Sequence, residues 1–211
     1  MKITKLGHCC LLIEEDGLRV LTDPGTYSSA QDDINGIDVI LITHEHSDHY
    51  DIASVKRVIH NNPGAKVFTN KAVGAKLAKE QITHAILENG SNIIEKGVEI
   101  SAVGATHLPL YPSLPPIENT GYMIAEKFFY PGDALTLPSK PVPILALPVA
   151  GPWLKLSEAI DYARIVKPKV CFPVHDGILK KIGSTNEIPP KILGPLGIRF
   201  EVLEIGRAIE F

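Results

Sequence analysis

"IDVILITHEHSDHYD", residues 37–51, joins a strand-like pattern to a metal-seeking one. Its first seven residues form an apolar, β-branched run, the composition of a strand buried on both faces. The next six place three histidines and one aspartate (His44, His46, His49 and Asp48) where that strand must end. In extended backbone, side chains at i and i+2 face the same way, whereas on a helix His44 and His46 would point to nearly opposite sides. Two imidazoles therefore converge on one cation. Asp48 and His49 follow the turn toward the next helix and are directed to a second position nearby. The H-E-x-x-H pattern is not met, because the residue four after His44 is Asp48, and this disfavours a zincin-type protease.

Outward from this stretch, the chain alternates strand and helix patterns. Upstream, "MKITKL", "CCLLIEE" and "LRVLTD" are short strand patterns separated by Gly7 and by Asp16-Gly17, which predicts an antiparallel meander. Downstream, "DIASVKRVIHNN" and "KAVGAKLAKEQ" carry helical periodicity on either side of the strand "AKVFT". The strand-rich stretches "NIIEKGVEISAVGAT", "GYMIAE" and "KFFYPGD" follow. A helix is predicted in "LSEAIDYARIVK", with Ser157 as N-cap and Glu158 in its first turn. "KVCFPVHDG" is a strand ending on a histidine, and "IRFEVLEIG" alternates before a last short strand. Strands with helices between them predict an α/β class of fold, with two sheets packed face to face under outer helices.

The bulk composition agrees with one sizeable domain spanning residues 1–211, with 45% hydrophobic residues, 21% charged residues and a formal net charge of -3. No strongly basic field is present to attract nucleic acid. No apolar run is long enough for an export signal or a membrane span, so a cytoplasmic protein without a membrane partner is expected. Cys9, Cys10 and Cys171 are odd in number, and the expectation is reduced thiols within strands.

Six residues in one loop cannot fill the coordination shells of two metals, so further ligands are expected at other strand ends. His107 closes "ISAVGATH", Asp133 closes "FFYPGD" and His175 closes "VCFPVH". Each follows an apolar run and precedes a loop. The proline-rich loop at residues 107–119 begins at His107, cannot be a central strand or a helix, and is a candidate wall for a substrate pocket.

The ordered set Asp23, His44-x-His46-x-Asp48-His49, His107, Asp133, His175 resembles the metallo-β-lactamase superfamily over residues 23–175. The resemblance implies a four-layer αββα sandwich with a dinuclear centre at the sheet edge. By position it implies that His44, His46 and His107 hold a first metal, that Asp48, His49 and His175 hold a second, and that Asp133 bridges both. Asp23 would orient the ligands without binding metal. Within the superfamily, "LGHCCLLIE", "LTDP", "YPGDA", "LPVAGPW" and "FPVHDG" are similar to the small metal-dependent hydrolases that include the L-ascorbate 6-phosphate lactonase-like proteins. N-acyl phosphatidylethanolamine phospholipase D is a more distant relative that shares the Gly-His opening. That opening implies a place for His8 beside the metals, behind the ligands or facing substrate. The length leaves no room for the nuclease, helical or flavin domains of several other relatives, which points to a minimal intracellular hydrolase.

Such a centre implies a water nucleophile, because two cations lower the pKa of a shared water from about 15.7 toward about 7 and can stabilise charge developing on a carbonyl or phosphoryl oxygen. The donor set suits two divalent ions, zinc first, with iron or manganese also accepted. Asp48 could carry a proton to the leaving group. Tyr27, Tyr111 and Trp153 are candidate substrate contacts, being large side chains in loops near candidate ligands. Tyr50 is assigned to capping or packing at the next helix, and His60 and His84 to the surface or to packing. The leading expectation is hydrolysis of a small ester or lactone, phosphorylated or not. The alternative is a phosphodiesterase acting on nucleotides or phospholipids, and a metal-binding sensor is the third reading. A homo-oligomer is compatible with all three.

Overall fold

Alternation along single strands sets the layers. In residues 10–15, Leu11 and Ile13 join a core cluster that also contains Phe128 and Phe172, whereas Leu12 packs with Val55 and Leu77 on the opposite side. The computed structural model describes residues 1–211. Its first sheet contains β1 (Lys2–Gly7), β2 (Cys10–Glu15), β3 (Leu18–Thr22), β4 (Val39–Leu41), β5 (Lys66–Thr69), β6 (Ala85–Ile86) and β14 (Ala208–Glu210), in the order β14-β1-β2-β3-β4-β5-β6. The second contains β7 (Asn92–Glu95), β8 (Val98–Val103), β9 (Gly121–Ile124), β10 (Phe128–Tyr130), β11 (Ile144–Pro148), β12 (Val170–Val174) and β13 (Arg199–Phe200), in the order β13-β12-β11-β10-β9-β8-β7. In each sheet four strands are antiparallel, and the rest continue in parallel from the fourth. The two sheets thus share a plan that no sequence repeat records.

Three apolar clusters fill the spaces between layers. The largest lies between the sheets, with Leu11, Val39 and Leu41 from the first facing Ile100, Tyr122 and Phe172 from the second. Helices α1 (Ile52–Asn61) and α2 (Lys71–Lys79) cover the outer face of the first sheet through Val55, Val58, Val73 and Leu77. Helices α3 (Leu156–Val166) and α5 (Pro189–Leu193) cover the second through Ile160, Ala163 and Leu193, and the short α4 (Gly183–Glu187) precedes α5. This is the expected four-layer αββα sandwich. Buried aliphatic and aromatic side chains each contribute about 1.5–3 kcal/mol of transfer free energy, so the central cluster is the main source of cohesion. No helix is long and apolar enough to cross a membrane.

One strand was not anticipated, and three local expectations are corrected. Residues 144–148, whose neighbouring prolines disguise them, form the fully buried strand β11 between β10 and β12. Helix α3 is capped at Lys155 and not at Ser157, because the Glu158 carboxylate reaches back to accept the Lys155 N–H at 2.8 Å. Of "IRFEVLEIG" only Arg199–Phe200 pairs as a strand. The chain then leaves that edge, buries Leu203 between the sheets and reaches the Lys5 carbonyl through the Gly206 N–H at 2.9 Å. All three cysteines are free and buried, but Cys9 lies in the β1–β2 turn and not in a strand.

Candidate metal centre

Strand direction gathers the site. β1, β3 and β4 run the same way in the first sheet, as do β8, β10, β11 and β12 in the second. The segments at their C-terminal ends carry His8, Asp23, His44 to His49, His107, Asp133, Trp153 and His175, and the rings and carboxylates of these segments meet at one edge of the sandwich. Residues spread over most of the chain are brought together because apolar runs stop at a common border. Three of them, His8 (φ 44°), Asp23 (φ 38°) and His175 (φ 60°), hold left-handed backbone conformations, a strain that persists where packing over-determines it.

One group joins His44, His46, His107 and Asp133, with donor atoms within 4.8 Å of one another. His44 Nε2 is 3.0 Å from His46 Nδ1, and His107 Nε2 is 3.2 Å from Asp133 Oδ2. His107 Nδ1–H donates to the Leu108 carbonyl, which leaves its Nε2 lone pair for the centre. Thr43 fixes His44 in the same sense. Its hydroxyl donates to Asp23 at 2.7 Å, so it accepts from His44 Nδ1 at 3.0 Å.

The other group joins His8, Asp48, His49 and His175. His175 Nε2 lies 3.4 Å from Asp48 Oδ2 and 3.0 Å from Asp133 Oδ2, and His49 Nε2 lies 3.2 Å from Asp133 Oδ1. Beneath it, the fully buried Asp23 carboxylate accepts the Thr43 N–H (2.7 Å), the Tyr130 hydroxyl (2.5 Å) and His49 Nδ1–H (2.7 Å). Asp23 therefore touches a ring from behind and lies outside both groups. The loop itself is folded by His49 N–H and Tyr50 N–H donating to the His46 carbonyl, after which Asp51 caps α1.

Electrostatics separate the two groups. Burial, reinforced by the neighbouring His49, holds His44 well below the ordinary imidazole range, and burial with His107 lowers His46. Burial alone would raise Asp133, yet the surrounding His49, His107 and His175 hold it well below the carboxylate range. Burial opposes charge on His49 and His175 as well. The facing carboxylates prevail, raising His49 strongly and His175 to about 10.

The chemistry of the unpaired atoms tests whether a metal fits. His49 Nε2, His107 Nε2, His175 Nε2 and both Asp133 oxygens are buried without a hydrogen-bond partner, although they approach to 3.0–3.2 Å. Buried polar atoms left unpaired are costly, and so many converging without hydrogen-bond geometry match donors arranged around cations. Imidazole nitrogens and carboxylate oxygens are the donor types that zinc, iron and manganese accept.

Of the candidate substrate residues, Trp153 stands at the mouth, its ring 5.3 Å from His107 and 5.2 Å from His175. Tyr27 is half exposed with its ring 5.2 Å from His8. Tyr111, 64% exposed, lines a cleft of about 320 Å³ within the proline-rich loop, which His107 also borders. Tyr50 packs against the core under α1, His60 is exposed, and His84 is half-buried with Nδ1 at the Ile82 carbonyl. Sequence reasoning missed Thr43, Tyr130 and Asn119. The last accepts the Asp133 N–H at 3.0 Å and donates to the Pro131 carbonyl at 2.9 Å. The only signal for Thr43 and Tyr130 was adjacency to His44 and to "PGD".

Residues 2–175 match the model of the β-lactamase superfamily domain. This chain belongs to the β-lactamase superfamily. Protein Rv0786c of Mycobacterium tuberculosis is 37% identical over 185 residues, covering 85% of each chain. A UPF0173 metal-dependent hydrolase of Flavobacterium johnsoniae is 31% identical over 229 residues and is covered, like this chain, over its full length. A crystal structure of a Parabacteroides distasonis protein described as a metal-dependent hydrolase superposes with a TM-score of 0.79 at 27% identity, over 96% of this chain and 92% of the other. In this superfamily member, the donors sit where the fold places the C-terminal ends of its strands.

Proposed function

We propose that this superfamily member is a metal-dependent hydrolase holding two divalent cations, zinc first, with a small ester or lactone, phosphorylated or not, as its substrate. The observation that carries the reading is the placement of Asp133 between the two groups. Its Oδ1 faces His49 at 3.2 Å, and its Oδ2 faces His107 at 3.2 Å, His175 at 3.0 Å and His44 at 3.6 Å. His44, His46 and His107 would hold one cation, Asp48, His49 and His175 the other, and Asp133 both.

When bound, the cations supply an activated water and Lewis-acid stabilisation of an oxyanion. The chain's own residues do the rest. Asp23, Thr43 and Leu108 aim the imidazole lone pairs inward by holding the opposite ring nitrogens. Trp153 and Tyr27 wall the mouth and exclude water from a bound substrate. Asp48, its side chain 18% exposed at the rim of the second group, is the group whose carboxylate can receive and hand on a proton.

Metal analysis followed by turnover of a lactone, an aryl ester and a bis-aryl phosphate tests the reading. The expected result is two equivalents of divalent metal and fastest turnover of the lactone or ester. Preference for the bis-aryl phosphate would overturn the substrate class in favour of a phosphodiesterase. Metal without turnover would indicate a sensor, and absence of metal would overturn the centre itself.

A further inference from the structure

His8 belongs by proximity to the second group, and distance alone would make it a third nitrogen ligand there. The Gly177 backbone decides otherwise. Gly177 N–H donates to His8 Nδ1 at 3.1 Å. An amide nitrogen can only donate, so Nδ1 carries a lone pair and the single proton of the neutral ring sits on Nε2. That nitrogen lies 3.3 Å from Asp48 Oδ2. A ring protonated on Nε2 has no lone pair there to offer a cation.

We infer that His8 is not a metal ligand but an imidazole, held by the Gly177 amide with its proton on Nε2, that positions Asp48 by donating a hydrogen bond to Oδ2. The inference rests on the metal-centre reading above. A carboxylate oxygen has two lone-pair directions, so Oδ2 can accept from His8 and still face a cation. His8 thereby sets which way Asp48 presents its oxygen.

The surrounding structure is built for this contact. A Cβ at position 177 would lie 3.0 Å from His8 Nδ1 and 3.1 Å from its Cβ, so any other residue there would crowd the ring and shift it by a few tenths of an ångström from the amide. The two segments are also clamped from below. Lys5 Nζ, buried in β1, donates to both Asp176 oxygens at 2.7 Å and to the Pro173 carbonyl at 2.8 Å, fixing the turn that presents Gly177 to the end of β1. His8 itself is 2% exposed and pays for its place with a left-handed backbone.

The test is nitrogen NMR on protein carrying ¹⁵N-labelled histidine, before and after loading with ¹¹³Cd. The expected result is an Nε2–H tautomer for His8 in both states and no cadmium coupling to its ring, with coupling to His44, His46, His49, His107 and His175. Coupling at His8, or a proton on its Nδ1, overturns the inference and leaves the metal centre standing. Absence of coupling at every histidine overturns the metal-centre reading instead. In a second arm, His8→Ala should keep wild-type metal content while kcat falls on the order of 10- to 100-fold with KM little changed. His8→Gln, whose amide can donate, should recover part of the loss. Loss of a metal equivalent from His8→Ala, or unchanged kcat, would count against the role.

Discussion

Asp23 Oδ2 accepts the Nδ1–H of His49 at 2.7 Å while both side chains are fully buried, so the carboxylate fixes the face that the imidazole turns to the centre. Asp23→Asn replaces an acceptor with a group that also donates and releases the ring to its other tautomer. The variant is expected to lose affinity for the second cation by about 10- to 100-fold, and to weaken the first less, because only Thr43 relays the change to His44. Calorimetric metal titration reads this, and circular dichroism checks the fold. Equal affinity at both steps in variant and parent would refute the orienting role.

Asp48 lies at the edge of the second group, with Oδ2 facing His8 at 3.3 Å and His175 at 3.4 Å. Asp48→Asn keeps the shape but removes the charge and the capacity to hold a proton. Its activity should fall by about 10²- to 10⁴-fold, and saturating metal should not restore it. Full recovery on adding metal would reduce Asp48 to a ligand alone.

The opposite shifts in the two groups set an order of loading. His44 and His46 are lowered, hence already neutral near about pH 7, and a cation entering beside them displaces no proton. His49 and His175 are raised, the latter to about 10, so they hold protons near neutrality that a second cation must displace. A raised pKa means a penalty that shrinks as pH climbs, so affinity at the second group should rise with pH up to about 10. Calorimetry in buffers of different ionisation enthalpy should show proton release at the second binding step and little at the first. The same release at both steps would contradict this order.

Much of this site was legible because each donor stands where an apolar run stops. His44, Asp133 and His175 follow β4, β10 and β12 closely, and parallel strands bring such ends to a single border. The groups behind the donors were less visible. Thr43, Tyr130 and Asn119 are ordinary polar residues in sequence, and they become specific only when the carboxylates of Asp23 and Asp133 lie beside them. β11 was hidden because proline ordinarily disqualifies a central strand. Here Pro148 is its last residue, so the interior of the strand keeps its N–H donors for the ladder. His8 was placed near the metals, but its role turned on an amide donated by a residue 169 positions away.

Gly25 offers a last test of how the N-terminal meander supports the metal loop. A Cβ there would lie 1.9 Å from the Asp48 carbonyl oxygen, 2.1 Å from its carbon and 2.6 Å from His49 N. These are backbone atoms, so no side-chain rotation can relieve the clash. Gly25→Ala must therefore push apart two segments now joined by Thr26 N–H to the Ser47 carbonyl (2.9 Å) and Asp51 N–H to the Pro24 carbonyl (3.0 Å). Overpacking of this kind costs about 3 kcal/mol, which in a chain of this size corresponds to a fall in Tm of roughly 6–12 °C. Because the displaced segment carries Asp48 and His49, metal held by the second group should weaken more than metal held by His44, His46 and His107. Gly64→Ala is the control, since no atom lies within 4 Å of a Cβ built there. Thermal melts with and without metal distinguish the outcomes: the Gly25→Ala deficit should persist without metal and widen with it. A variant that melts like Gly64→Ala would mean that the loop carrying the ligands is held by something other than this contact.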